Sequence, residues 1–139
     1  MCVGGDLGFV ECYFRLGSGR RWRSQRVQYK ALQRVRVAGD QFGSPTYVPH
    51  LLDGVEALLQ AGCRGTVHMA GQGVASRFEW IQALFSALAI ETPLEAGEAR
   101  EFPQAATRPV YSALATLRDD APVLPSWEEG VAAFAAART

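Results

Sequence analysis

The amino-acid sequence predicts an α/β fold in which helices are joined by a few short strands. Three observations carry this prediction. Apolar residues recur at three- and four-residue spacing in several segments, short β-branched runs sit between glycines and prolines, and the box Ser-x-x-Glu, a helix-start signature, occurs at Ser76–Glu79 and again at Ser126–Glu129. Hydrophobic residues make up 48% and charged residues 20% of the 139 positions, a balance that supports a packed core.

Taken in order, Phe9, Val10, Tyr13, Phe14 and Leu16 fit one face of a helix over 7–17, ended by Gly17 and Gly19. Residues 18–34 are polar and arginine-rich, with apolar periodicity only around Val27–Leu32, and read as a solvated loop or a loosely held helix. Val35 and Val37 flank Arg36 as a short strand would, and the turn-rich Gly39–Thr46 follows. Leu51, Leu52, Val55, Leu58 and Leu59 form a helical stripe stopped by Gly62. The run Gly65-Thr66-Val67-His68-Met69-Ala70 reads as a buried strand. Ser76 caps a helix with Trp80, Ile81, Leu84, Phe85 and Leu88 on its apolar face, and Ser126 caps a last helix starting at Trp127. Between them Pro93, Pro103, Pro109, Pro122 and Pro125 break the chain, leaving Val110–Leu114 as a possible short strand. There is no internal repeat.

The formal net charge is zero, yet it is unevenly divided. Residues 1–36 hold eight basic and two acidic residues; residues 37–139 hold six basic and twelve acidic ones. This asymmetry divides the chain into an atypical basic segment, 1–36, and a domain over 37–139. The cluster over 15–36 could contact phosphate backbones, but with only Trp22 and Tyr29 available for stacking it matches no recognition motif. A solvated segment is the expectation, and nucleic acid is not an expected partner. No apolar run reaches the length of a membrane span and no leader pattern opens the chain, so no membrane association and a cytoplasmic location are expected. Cys2, Cys12 and Cys63 form no CxxC pair and suit reduced thiols.

Gly71-x-Gly73-x-x-Ser76 imitates a phosphate-cradling turn, but its third position is serine, already explained as an N-cap. His50 and His68, the two histidines, have no zinc-ligand spacing to cysteine or carboxylate, and His68 is expected in the core. No serine sits on a strand–helix elbow as a nucleophile would. No metal site and no catalytic residue are expected.

The segment Asp40-Gln41-Phe42-Gly43-Ser44-Pro45-Thr46 resembles the Asp-Gln-x-Gly-Ser-Pro-Thr motif of the dTDP-4-dehydrorhamnose reductase family, members of the extended short-chain dehydrogenase/reductase superfamily. Further matches follow in the family's order: the helix Leu51–Gln60, the strand Gly65–Gly71, Ser76-Arg77-Phe78-Glu79, Phe102-Pro103, Arg108-Pro109, Ser112 with Leu114, and Leu124-Pro125-Ser126-Trp127-Glu128-Glu129-Gly130. Gly4-Gly5, Phe9-Val10-Glu11 and Arg15-Leu16-Gly17 resemble the family's Gly-Gly-x-Phe-Val helix, whereas Ser18–Arg34 is longer and more basic than its counterpart. Tyr111 stands where the family has Asn in Arg-Pro-x-Asn-Ser.

The resemblance implies the C-terminal, substrate-binding part of a Rossmann-type fold, with the cofactor-binding half missing. The family reduces a 4-keto nucleotide sugar with NAD(P)H, using a Tyr-x-x-x-Lys pair in which lysine lowers the tyrosine pKa. The single lysine here, Lys30, follows Arg26 by four residues, so the pair is absent. The implied chain is thus a substrate lobe, inactive alone and not expected to bind NAD(P)H by itself, whose partners are a dTDP-sugar nucleotide and either a second copy or an N-terminal half. The resemblance places Gln41, Ser44, Thr46 and Arg108 on the sugar-nucleotide side of the cleft, with Arg108 suited to a diphosphate. Asp40, Gly43 and Pro45 are expected to shape the loop. The alternative is a non-catalytic interaction or regulatory module of the same fold.

Overall fold

The computed structural model describes residues 34–102 and 106–138, together with the backbone of the strands 2–5, 9–15 and 22–28. The chain forms two compact units, one of Met1–Val35 with Thr92–Leu94, the other of Arg36–Glu91 with Glu95–Thr139.

The first unit holds an antiparallel three-stranded sheet in the order β1 (Cys2–Gly5), β2 (Phe9–Arg15), β3 (Trp22–Gln28). Its register places Gly5 opposite Phe9, and Arg15 opposite Trp22. This corrects the helix expected over 7–17. Phe-Val-Glu-Cys-Tyr-Phe fits the two-residue period of a strand as well as the helical one, and its aromatic and β-branched residues favour strand once partners lie on both sides. The loop expected over 18–34 likewise contains β3. The proposed stops, Gly17 and Gly19, lie outside the described residues, as do the side chains of the basic cluster before Arg34.

β4 (Val35–Ala38), which lies in the second unit from Arg36 on, pairs with β7 (Leu94–Gly97), which lies there from Glu95 on, and the ladder continues through the Gly39 N–H, which donates to the Gly97 carbonyl at 2.9 Å. Arg36 spans this pair, 2.7 Å from Glu101 and 3.8 Å from Glu95. The second sheet is a minimal one, β5 (Phe42–Gly43) against β6 (Ala75–Ser76).

Three helices complete the unit: α1 (Val48–Gln60), α2 (Arg77–Ala87) and α3 (Trp127–Ala136). Both predicted capping boxes form. Ser76 Oγ accepts from the Glu79 N–H while the Glu79 carboxylate accepts from the Ser76 N–H at 2.7 Å; Ser126 and Glu129 repeat the arrangement. α1 has no side-chain cap and starts instead on a proline in its first turn. The two boxed helices pack on each other. Their ends are tied by Gln72, whose N–H donates to the Pro125 carbonyl at 3.2 Å and whose carbonyl accepts from the Trp127 N–H at 3.1 Å.

The core is small: Ala38, Ala75, Phe85, Ala121, Leu124 and Val131. Glycines let elements close on it. A Cβ at Gly54 of α1 would stand 2.6 Å from Leu124 Cδ2, and one at Gly130 of α3 would stand 2.9 Å from Tyr47 Cβ. Of α1, only Gly54 is buried, and Leu52 and Leu59 face solvent.

Residues 65–70 do not form the expected strand, and His68 is exposed rather than in the core. A strand needs a neighbour for its ladder, and among the described residues none pairs here. Side chains answer its carbonyls instead. Thr116 Oγ1 donates to His68 O at 2.6 Å, and Arg118 Nη1 donates to Arg64 O at 2.7 Å, its guanidinium held by Asp120. The strand expected over 110–114 reduces to a parallel bridge between Tyr111 and Phe42. Among the described residues no helix is long and apolar enough to cross a membrane.

Candidate functional site

The loop Asp40–Thr46 is fixed from both sides by backbone. On one side β5 pairs with β6, so that Phe42 faces Ser76 and Gly43 faces Ala75. On the other, the Phe42 N–H donates to the Val110 carbonyl at 2.8 Å and the Phe42 carbonyl accepts from the Ser112 N–H at 2.9 Å. Three chain segments distant in sequence therefore form a ribbon with Phe42 in the middle.

Side chains of the motif lock this ribbon. Ser44 Oγ accepts from the Leu114 N–H at 3.1 Å and lies 3.3 Å from the Leu114 carbonyl, so one hydroxyl serves both groups of that residue. Thr46 Oγ1 donates to the Ser44 carbonyl at 3.0 Å and accepts from the Gly71 N–H at 2.9 Å. Gln41 is buried, 8% exposed, and its carbonyl accepts from the Arg77 N–H at 3.2 Å. Asp40 does order backbone, but not that of its own loop: Oδ1 accepts from the Ala99 N–H at 2.8 Å, at the start of a 3₁₀ turn, Ala99–Glu101.

Gly43 of the motif and Gly71, which packs against the motif, divide in role. A Cβ on Gly71 would stand 2.5 Å from the Pro45 carbonyl oxygen, so the Pro45 turn and Gly71 fit only because Gly71 lacks a side chain. Gly43 lies in strand pairing, and a Cβ there would meet only Ser112 Oγ at 3.5 Å. The turn does not need its conformational freedom.

Arg108 is exposed, two residues before Val110. It sits close enough to Arg77 for the like charge to act on it: the Arg77 guanidinium is held below the ordinary arginine value, first by burial and then by Arg108. Arg77 is nonetheless solvent-accessible as a residue. Reading the sequence alone missed Arg77, whose position depends on the Phe42–Ser76 pairing; the local signal was its place directly after an N-cap.

Gly71-x-Gly73-x-x-Ser76 does not fit a dinucleotide. The space above Gly71 is filled by Pro45, a Cβ on Gly73 would lie 2.9 Å from Trp127, and Ser76 is engaged in its cap; Gly73, at φ +85°, serves a turn. Among the described residues no group of three or more His, Cys, Asp or Glu side chains is placed to hold a metal.

Known proteins resemble the chain over this domain. A family model described as RmlD substrate binding domain matches residues 24–139, starting inside the basic segment. A dTDP-4-dehydrorhamnose reductase of Mycobacterium tuberculosis is 42% identical over 85 residues, which are 60% of this chain and 28% of that protein. The spore coat polysaccharide biosynthesis protein SpsK of Bacillus subtilis is 29% identical over 110 residues, 79% of this chain and 34% of that protein. Among solved structures, a dTDP-4-dehydrorhamnose reductase from Bacillus anthracis in complex with NADP superimposes with a TM-score of 0.73 at 32% identity, covering 80% of this chain and 40% of that one. The chain thus spans well under half the length of these relatives.

Proposed function

The chain belongs to the RmlD substrate binding domain family, and from that premise we propose that it is the nucleotide-sugar-binding part of a dTDP-4-dehydrorhamnose reductase-like protein of the cytoplasm. The observation that carries the reading is the clasp on Asp40–Thr46. Residues of the motif, Ser44 and Thr46, tie the loop to Leu114 and Gly71, segments that resemble the family in the same order. The hydroxyls thereby act as positioning groups, while Gln41 and Arg108 supply polar and cationic groups beside the loop. Arg108 matches phosphate oxygens with its planar fork.

A hydride transfer needs a bound nicotinamide and a proton donor at the sugar carbonyl. The sequence has no Tyr-x-x-x-Lys pair and its glycine-rich turn does not fit the cofactor, so this chain holds substrate and does not reduce it. Calorimetric titration with dTDP is expected to give saturable binding, and no binding at millimolar dTDP would refute the proposal and favour a non-catalytic interaction module, which has no reason to take the nucleotide. A reductase assay with NADPH and a dTDP-4-keto-6-deoxysugar is expected to give no turnover by the chain alone; turnover would overturn the inactive reading.

A further inference from the structure

The ribbon around Phe42 has a geometric consequence for charge. Phe42 is antiparallel to Ser76 on one side and parallel to Tyr111 on the other. In the antiparallel pair the residue after Ser76, which is Arg77, lies opposite Gln41. In the parallel one the residues before Tyr111 run along those before Phe42, so Arg108 emerges beside the same end of β5. One antiparallel and one parallel neighbour thus bring two arginines to the same end of the ribbon, on either side of β5, from segments about thirty residues apart in sequence.

Among the described residues, neither guanidinium has a carboxylate partner. The ion pairs of the second unit use Arg36, Arg100 and Arg118 instead. The acids nearest in sequence to Arg77 and Gln41 are committed to backbone: Glu79 to the Ser76 N–H and Asp40 to the Ala99 N–H. Two like charges held together at a partly desolvated edge repel each other, and a bound anion relieves that repulsion. The site already described absorbs Arg108 but leaves Arg77 without a role.

We propose that Arg77 and Arg108 form a two-guanidinium clamp for a diphosphate group, with Arg77 as a second ligand-binding arginine beside the Asp40–Thr46 loop. The identity of the diphosphate as that of a nucleotide sugar rests on the function proposed above; the clamp itself does not. Burial and the like charge of Arg108 lower the Arg77 pKa, an electrostatic cost that a bound anion offsets.

The test is calorimetric titration of the full chain at low salt with inorganic pyrophosphate and with dTDP. Arg77→Ala and Arg108→Ala are each expected to weaken pyrophosphate binding by about tenfold or more, the loss that goes with a charge-assisted hydrogen-bonded pair. Arg77→Lys is expected to recover part of the loss, and Arg100→Ala, which removes a charge paired with Glu98, to leave binding within twofold. Arg77→Gln gives the same readout should thermal unfolding show that the alanine variant does not fold. Arg77→Ala and Arg77→Gln binding pyrophosphate as the wild type does, or a wild type that binds neither ligand, would overturn the clamp. Pyrophosphate binding that depends on Arg77 without dTDP binding supports the clamp and refutes the nucleotide reading. Wild-type affinity of Arg77→Ala for dTDP does the reverse.

Discussion

Single atoms decide whether the Asp40–Thr46 loop keeps its shape. Thr46 Oγ1 is the partner of the Gly71 N–H, and Gly71 is buried. Thr46→Val conserves volume but leaves that N–H unpaired, with an expected cost of about 1–3 kcal/mol in urea or thermal unfolding. Gly71→Ala puts a methyl against the Pro45 carbonyl, which is backbone and cannot rotate away, and is expected to cost about as much or more. Gly43→Ala tests the distinction at the glycine of the motif: its new methyl would make only an ordinary contact with Ser112 Oγ, and its stability should stay within about 0.5 kcal/mol of wild type. Equal losses at Gly43 and Gly71 would contradict the assignment. The sequence marked the loop and Gly71 without separating the roles of the two glycines, because these depend on which atoms lie opposite each.

At the scale of elements, what was legible followed from how local the determining interaction is. Ser76–Glu79 and Ser126–Glu129 are self-contained boxes, and the helices begin where the boxes place them. Ser126→Ala should therefore cost about 1 kcal/mol, measured by thermal unfolding. The Glu79 carboxyl is held below its ordinary range, chiefly by the Ser76 backbone N–H, so its contribution to stability is full above the carboxylate range and is lost as pH falls through it. Glu79→Gln should accordingly lie below wild type in Tm at pH 7, and the difference should narrow toward pH 3. A gap that widens on acidification would reverse the sign argued here. Strands were less legible: β2 satisfies two periods at once, and residues 65–70 have strand composition but no strand beside them, a fact held elsewhere in the chain.

Across the whole molecule, apolar surface is abundant relative to the core. Leu117 is 92% exposed, Leu59 76%, Val123 69% and Leu52 62%, whereas no large side chain is fully buried among the described residues. Surface of this kind promotes association. Sedimentation should show concentration-dependent self-association, reduced by Leu52→Glu and Leu59→Glu; a monomer at all concentrations up to about 100 μM would argue against it. The zero net charge, divided between a basic head and an acidic remainder, does not oppose such contacts. Of the candidate site, the sequence offered the Asp40–Thr46 loop and Arg108 but neither Arg77 nor the arrangement. Arg77 and Arg108 become neighbours only through the pairing of both flanking segments with Phe42. That pairing has a bearing on proteolysis: Ser44 reaches Leu114 across 70 residues of chain, while the helices α1 and α2 lie wholly within the span it closes. A single protease nick at exposed Leu117 leaves both helices their own hydrogen bonds but loosens the hold on residue 114, so helical circular dichroism should outlast ligand affinity in the nicked protein.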